Sequence, residues 1–166
     1  MSKSSFSNMN CAIAQTLERV GEWWTLLILR NAFCGMARFD DFHEHLGIST
    51  NILSNRLAHL TEAGILKREI SKADARSFEY KLTPMGLSLY PILIAMTEWG
   101  EKWVPHSKGP RVRLLERNTN RPIKGVVIQS SEGRPLSPFD VKMIDGPGAD
   151  HKIRELVTFG KEKKNR

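Results

Sequence analysis

Cysteine is scarce in this chain. Two of its 166 residues, Cys11 and Cys34, are cysteines, too few for a disulfide framework or a structural zinc site. Long apolar runs are also missing. The longest, "LYPILIAM", falls far short of the roughly 20 residues that span a bilayer. The start, "MSKSSFSNMN", is polar and has no apolar stretch of signal-peptide length. The expectation is a cytoplasmic protein with no membrane partner. The groupings that carry catalysis are absent too. There is no phosphate-cradling glycine loop, no Ser or Cys beside a suitable base, and no pair of carboxylates placed for a cleft. His43 and His45 stand two apart on a helical segment and so diverge, which is poor chelating geometry. No metal, no cofactor and no enzymatic activity are expected.

What is present suits a folded domain. Hydrophobic residues make up 40% and charged residues 26% of the chain, the balance of a protein with one proper core. The net charge of +7 is unevenly spread: Met1 to Ser107 carries 11 basic against 11 acidic residues, and Lys108 to Arg166 carries 14 against 7. The excess favours a polyanionic partner, although a neutral segment can still be locally polarised. Glycine and proline become dense after Lys108. The chain therefore divides into residues 1–107 and an extension, 108–166, with no internal repeat.

Apolar spacing lays out the first part. Ile13, Leu17 and Val20 form one helical stripe, interrupted by Gly21. A second helix runs from about Glu22 to Phe33, with Trp24, Leu27, Ile28 and Phe33 directed to a core. "RFDDFHEHL" places Phe39, Phe42 and Leu46 on one face. Gly47 turns the chain, Ser49 or Thr50 caps the next helix, and Gly64 ends it. "ILKREI" and "SFEYKL" read as two strands joined by the polar loop "SKADAR". Thr83 and Pro84 start a further helix reaching about Trp103. It is too apolar to have a wet side, and Pro91 should kink it or reset its start. Beyond Lys108, "RVRLLER", "NTN" and "PIKGVVIQ" suggest a hairpin and "SSEG" another turn. The last segment, "HKIRELVTFGKEKKNR", is either a weak basic helix or disordered.

The helix after Gly47 raises a question about its outer face. Leu53, Leu57 and Leu60 share one side. The other carries Asn51, Ser54, Asn55, Ala58 and His59, polar but almost uncharged. Helix, glycine turn, helix and a two-stranded ribbon with a basic tip make up the winged helix-turn-helix plan. The fold expected is α+β, mainly α, with a C-terminal apolar helix and a small β-rich extension. On this plan the helix from Arg38 to Leu46 braces the next one. Ser49, Thr50, Asn51, Ser54, Asn55 and His59 then face a major groove, where short donors and acceptors reach base edges. Arg56 lies at the border of the two faces. It can reach a phosphate or guanine, or pair with Glu62 or a neighbouring helix. Lys72 and Arg76 in the loop would follow the DNA backbone or enter a minor groove, and Lys67 and Arg68 suit phosphate. A polar helix face is also often merely solvated, and winged helices also dock proteins or RNA, here through the basic extension.

"CAIAQTLERVGEWWTLLILRNAF", "RFDDFHEHLGISTNILSNRLAHLTEAGILKR", "YKLTPMG" and "LYPILIAMTEWGEKW" together resemble the HxlR-type transcriptional regulators of the broader MarR-like group. The resemblance spans Cys11 to Trp103. It implies a homodimer joined through the Leu87–Trp103 helix, binding double-stranded DNA at a pseudo-palindromic operator. A repressor is expected, with Arg38 at the head of the brace helix among the DNA-binding residues. Cys11 stands where such proteins often carry a cysteine that in some members senses electrophiles or oxidants. An accessible thiol at a helix start suits that role, whereas a small buried hydrophobe would not. Cys34 is expected to pack. An unidentified small-molecule or electrophile effector is a further expected partner. The tail from Leu114 to Asp150 resembles the extension of longer members. Some of those carry cysteines at a turn that here reads "IQSSEG", so no metal is expected there.

Overall fold

The computed structural model describes residues 5–72 and 74–164. Its elements are α1 (Ala12–Val20), α2 (Trp23–Phe33), α3 (Phe39–Leu46), α4 (Thr50–Glu62), β1 (Leu66–Ile70), β2 (Phe78–Leu82), α5 (Pro84–Leu87), α6 (Tyr90–Trp103) and α7 (His151–Lys164). The chain forms two compact units, the larger being Arg19–Val126.

Local chemistry sets the boundaries of α3 and α4. Gly47 ends α3 with a left-handed φ of 63°, which costs glycine little, and its N–H closes on the carbonyl of His43 at 3.0 Å. The Ser49 hydroxyl accepts from the Ile52 N–H and so caps α4. At the far end the Gly64 N–H donates to the Thr61 carbonyl and the Ile65 N–H to the Leu60 carbonyl. This pair of bonds satisfies the last free carbonyls and reverses the chain into β1.

The brace is as expected. Phe42, Leu53, Leu57 and Leu60 are fully buried with Ile28 and Leu29 of α2, and Phe39 and Leu46 pack against them. Each buried leucine stabilises the unit by roughly 1.5–3 kcal/mol. The α1 stripe is not uniform: Val20 is buried, but Ile13 and Leu17 are exposed. In α2 the buried Asn31 accepts from the Arg30 guanidinium and meets His45 of α3 at 3.0 Å, joining the two helices by polar contact. Cys34, expected to pack, is exposed at the end of α2. The residue completes the helix cap by its backbone, which leaves its side chain in water.

β1 and β2 pair antiparallel, from Leu66 opposite Leu82 to Ile70 opposite Phe78. A bridge from Arg38 to Glu79 and a bond from the Tyr80 N–H to the Ala37 carbonyl hold the chain before α3 against β2. The helix expected to run on to Trp103 is broken. Thr83 caps α5, which stops at Leu87, and α6 begins at Tyr90 with Pro91 in its first turn. There the missing N–H of proline costs no hydrogen bond, so Pro91 resets the helix start. Along α6 only Ile94 is buried. Ile92, Met96, Trp99 and Trp103 fall at i, i+4, i+7 and i+11, and the two tryptophans are 62% and 63% exposed. The second apolar face inferred from the sequence is therefore open in the single chain.

In the extension, the hairpin is formed by a single bridge between Leu115 and Pro122, turned at Asn120 with φ 53°. The "SSEG" turn is closed by a bridge from Gln129 to Pro135. The β content is thus two short turns. Among the described residues, Val157 of α7 and Ala14 of α1 are the buried apolar side chains of the smaller unit, and the Asn10 side chain donates to the Gly148 carbonyl there.

Candidate nucleic-acid interface

Packing of the three leucines fixes which side of α4 faces out. Thr50, Asn51, Ser54, Asn55 and Ala58 are all exposed, and the side chains of Asn51, Ser54 and Asn55 make no hydrogen bond among the described residues. They form a short, uncharged surface of donors and acceptors over two turns of helix. Ile52 is 40% exposed, giving this face an apolar member that the polar pattern did not reveal.

The remaining expected residues of α4 have partners inside the protein. The Ser49 hydroxyl is the helix cap. The Arg56 guanidinium lies 3.1 Å from Glu22, the residue just before α2, and Arg56 Nε is buried without a hydrogen-bond partner. Of the outcomes open to Arg56 in the sequence, the ion pair is with a neighbouring helix and not with Glu62. His59 Nε2 meets the Arg19 carbonyl at 3.1 Å. Both contacts join α4 to distant positions in the chain, and no local pattern in the sequence signals either.

The wing is ordered by its own charges. Glu69 and Glu79 alternate with Lys67 and Lys81 across the ladder, and Lys81 lies 2.8 Å from Glu79 and 3.4 Å from Glu69. Hydrogen bonding from Lys67, then burial acting against it, leaves the Glu69 carboxyl below its ordinary value. Glu79 is lowered chiefly by its bond from Lys81 and then by the Ser71 hydroxyl at 2.8 Å. Lys81 is raised, chiefly by Glu79. The Arg68 guanidinium stacks on the Phe78 ring at 3.6 Å. Lys67 and Arg68 are therefore engaged within the wing. Lys72 and Arg76 are exposed at its tip, where the Asp74 side chain accepts from the Arg76 backbone N–H and shapes the turn. Arg38 is exposed at the head of α3, its backbone bridged to Glu79.

Cys11 is partly exposed and its carbonyl accepts from the Gln15 N–H, which sets it at the start of α1. Among the described residues no three His, Cys, Asp or Glu side chains gather to hold a metal ion, and no helix is long and apolar enough to cross a membrane.

The family model described as HxlR-like helix-turn-helix matches residues 19–108. The HTH-type transcriptional regulator Rv3095 of Mycobacterium tuberculosis is 34% identical over 142 residues, covering 86% of this chain and 90% of the relative. YdeP of Bacillus subtilis, another HTH-type transcriptional regulator, is 32% identical over 94 residues, 56% of this chain and 73% of YdeP. Among solved structures, PA1607, described as a transcription factor, aligns with a TM-score of 0.80 at 33% identity, over 86% of this chain and all of that one. The redox regulator HypR in its oxidised form aligns with a TM-score of 0.51 at 32% identity, over 55% of this chain and 96% of HypR.

Proposed function

Since the chain belongs to the HxlR-like helix-turn-helix family, and is thus a transcriptional regulator with a helix-turn-helix DNA-binding domain, we propose that it is a homodimeric repressor that reads a pseudo-palindromic operator. The observation that carries this reading is the open, uncharged face of α4. Thr50, Asn51, Ser54 and Asn55 have no internal work beyond the helix, and short side chains let a helix enter a major groove closely. Ser49, Arg56 and His59 serve that face from its edges, by capping the helix and fixing its rotation. Arg38, Lys72 and Arg76 are exposed cations placed to meet phosphates or a minor groove.

The open stripe of Ile92, Met96, Trp99 and Trp103 supports pairing through α6. Isologous contact of two copies would bury it and set two reading helices about one turn of DNA apart. Cys11, partly exposed at the head of α1, is the thiol through which an electrophile or oxidant would act.

Selection of bound DNA from a random pool tests this reading. The expected product has two inverted half-sites centred about 10 base pairs, or a multiple of that, apart. Recovery of unrelated sequences with no dyad would reject it.

A further inference from the structure

The larger unit holds a slot that DNA recognition leaves unused. Glu98 and Glu101, one turn apart on α6, form one side, and Leu114, Leu115 and Ile123 of the hairpin form the other, around a space of about 280 Å3. The hairpin is fixed by the bond from the Ile123 N–H to the Leu114 carbonyl at 3.1 Å.

The two carboxylates differ. Glu101 is neutralised: it accepts from the Arg111 N–H at 3.0 Å and lies 3.5 Å from the Arg111 guanidinium, which also donates to the Val104 carbonyl. Glu98 Oε2 accepts from the Val126 N–H at 3.1 Å. Its carboxylate rests on Gly125, where φ is +77° and a Cβ would overlap it. Among the described residues Glu98 has no cationic partner. Glu98 is half-buried, takes one neutral donor and keeps acceptor sites open beside the apolar slot. A cation beside it gains a charge-assisted hydrogen bond.

We propose that this slot binds a small amphipathic amine, its ammonium on Glu98 and its apolar body against Leu114, Leu115 and Ile123. The volume lies at the lower edge of ligand sites, roughly 300–1,000 Å3, so the ligand is one ring or a short alkyl chain. Arg113 also lines the slot but is exposed, and its long side chain can keep its charge in water while its stem covers apolar surface. Because α6 carries the stripe assigned to pairing, occupancy would act on the dimer. That consequence rests on the function proposed above; the binding does not.

The test titrates phenethylamine, phenethyl alcohol and hydrocinnamate into the full chain without DNA. Calorimetry and the methyl NMR signals of Leu114, Leu115 and Ile123 report binding. The amine should bind saturably, one molecule per chain, with the alcohol and the acid weaker by about tenfold. Glu98→Gln, which keeps an oxygen for the Val126 N–H, should weaken the amine by about tenfold. Leu115→Trp, which fills the slot and leaves Glu98 in place, should abolish it. No saturable amine binding, or amine binding unchanged by either variant, overturns the proposal. Tighter binding of the acid that is lost in Arg113→Ala also overturns it, marking an anion site instead. Operator affinity of the ligand-free chain is measured separately, so failure of one reading leaves the other standing.

Discussion

The Arg56 guanidinium lies 3.1 Å from the Glu22 carboxylate, so a cation on α4 is held by the residue just before α2. The pair sits at 21% and 37% side-chain exposure, too shielded to be fully screened and too open to carry a large desolvation cost. It therefore fixes the rotation of α4 against the core more than it supplies stability. Glu22→Gln should cost about 1 kcal/mol. A double-mutant cycle with Arg56→Ala, read by chemical denaturation, should return a positive coupling. Zero coupling would mean that the contact does not hold α4.

Asn55 has the opposite character, being exposed and uninvolved in the fold. Asn55→Ala should leave the melting temperature unchanged and reduce discrimination at one base position by about 1–3 kcal/mol. The measurement is competition between the selected operator and its single-base variants. Equal affinity and selectivity in the variant would remove Asn55 from the reading face.

Lys72 and Arg76 at the wing tip should contribute without regard to sequence. Each change to Ala is expected to weaken operator and unrelated DNA alike. It should also lower the slope of log affinity against log salt by about one. A loss confined to the operator would make either residue a base reader.

The wing should respond to acid. Glu69 and Glu79 are held below their ordinary value of 4.5. Their contribution is therefore complete above that value and is lost as pH falls through the lower, folded value. Lys81 is raised from 10.5; its contribution is complete below 10.5 and lost only as pH rises past its folded value. Glu79→Gln should lower wing stability modestly at neutral pH, and the difference should vanish well below pH 4.5. Amide exchange in β1 and β2 across that range would show it. A difference that persists in acid would assign the effect to packing.

Cys11 can be tested through its oxidation. Diamide should weaken operator binding by the wild type and leave Cys11→Ser unaffected. The same response in both proteins would place any oxidation elsewhere, the exposed Cys34 being the other thiol.

Most of the larger unit was legible because its signals are local. The spacing of Phe39, Phe42 and Leu46 against Leu53, Leu57 and Leu60 marked the brace. Gly47, Ser49, Gly64, Thr83 and Pro84 marked where helices stop and start, since each satisfies backbone groups within a few residues of itself. The uncharged face of α4 was visible for the same reason. Position along the helix alone assigns a side chain to the leucine side or the other.

Tertiary structure decided the rest. Arg56 and His59 found partners in Glu22 and Arg19, distant in sequence, which no periodicity encodes. Lys67 and Arg68, equally basic on paper, were drawn into the wing by Glu69 and Phe78. The residues around Pro91 allow a kink or a new start, and packing chose the new start. The apolar character of α6 was written in its residues. Which stripe of it stays open depended on where α2 and the core came to lie, because burial is a property of neighbours and not of the chain that carries them.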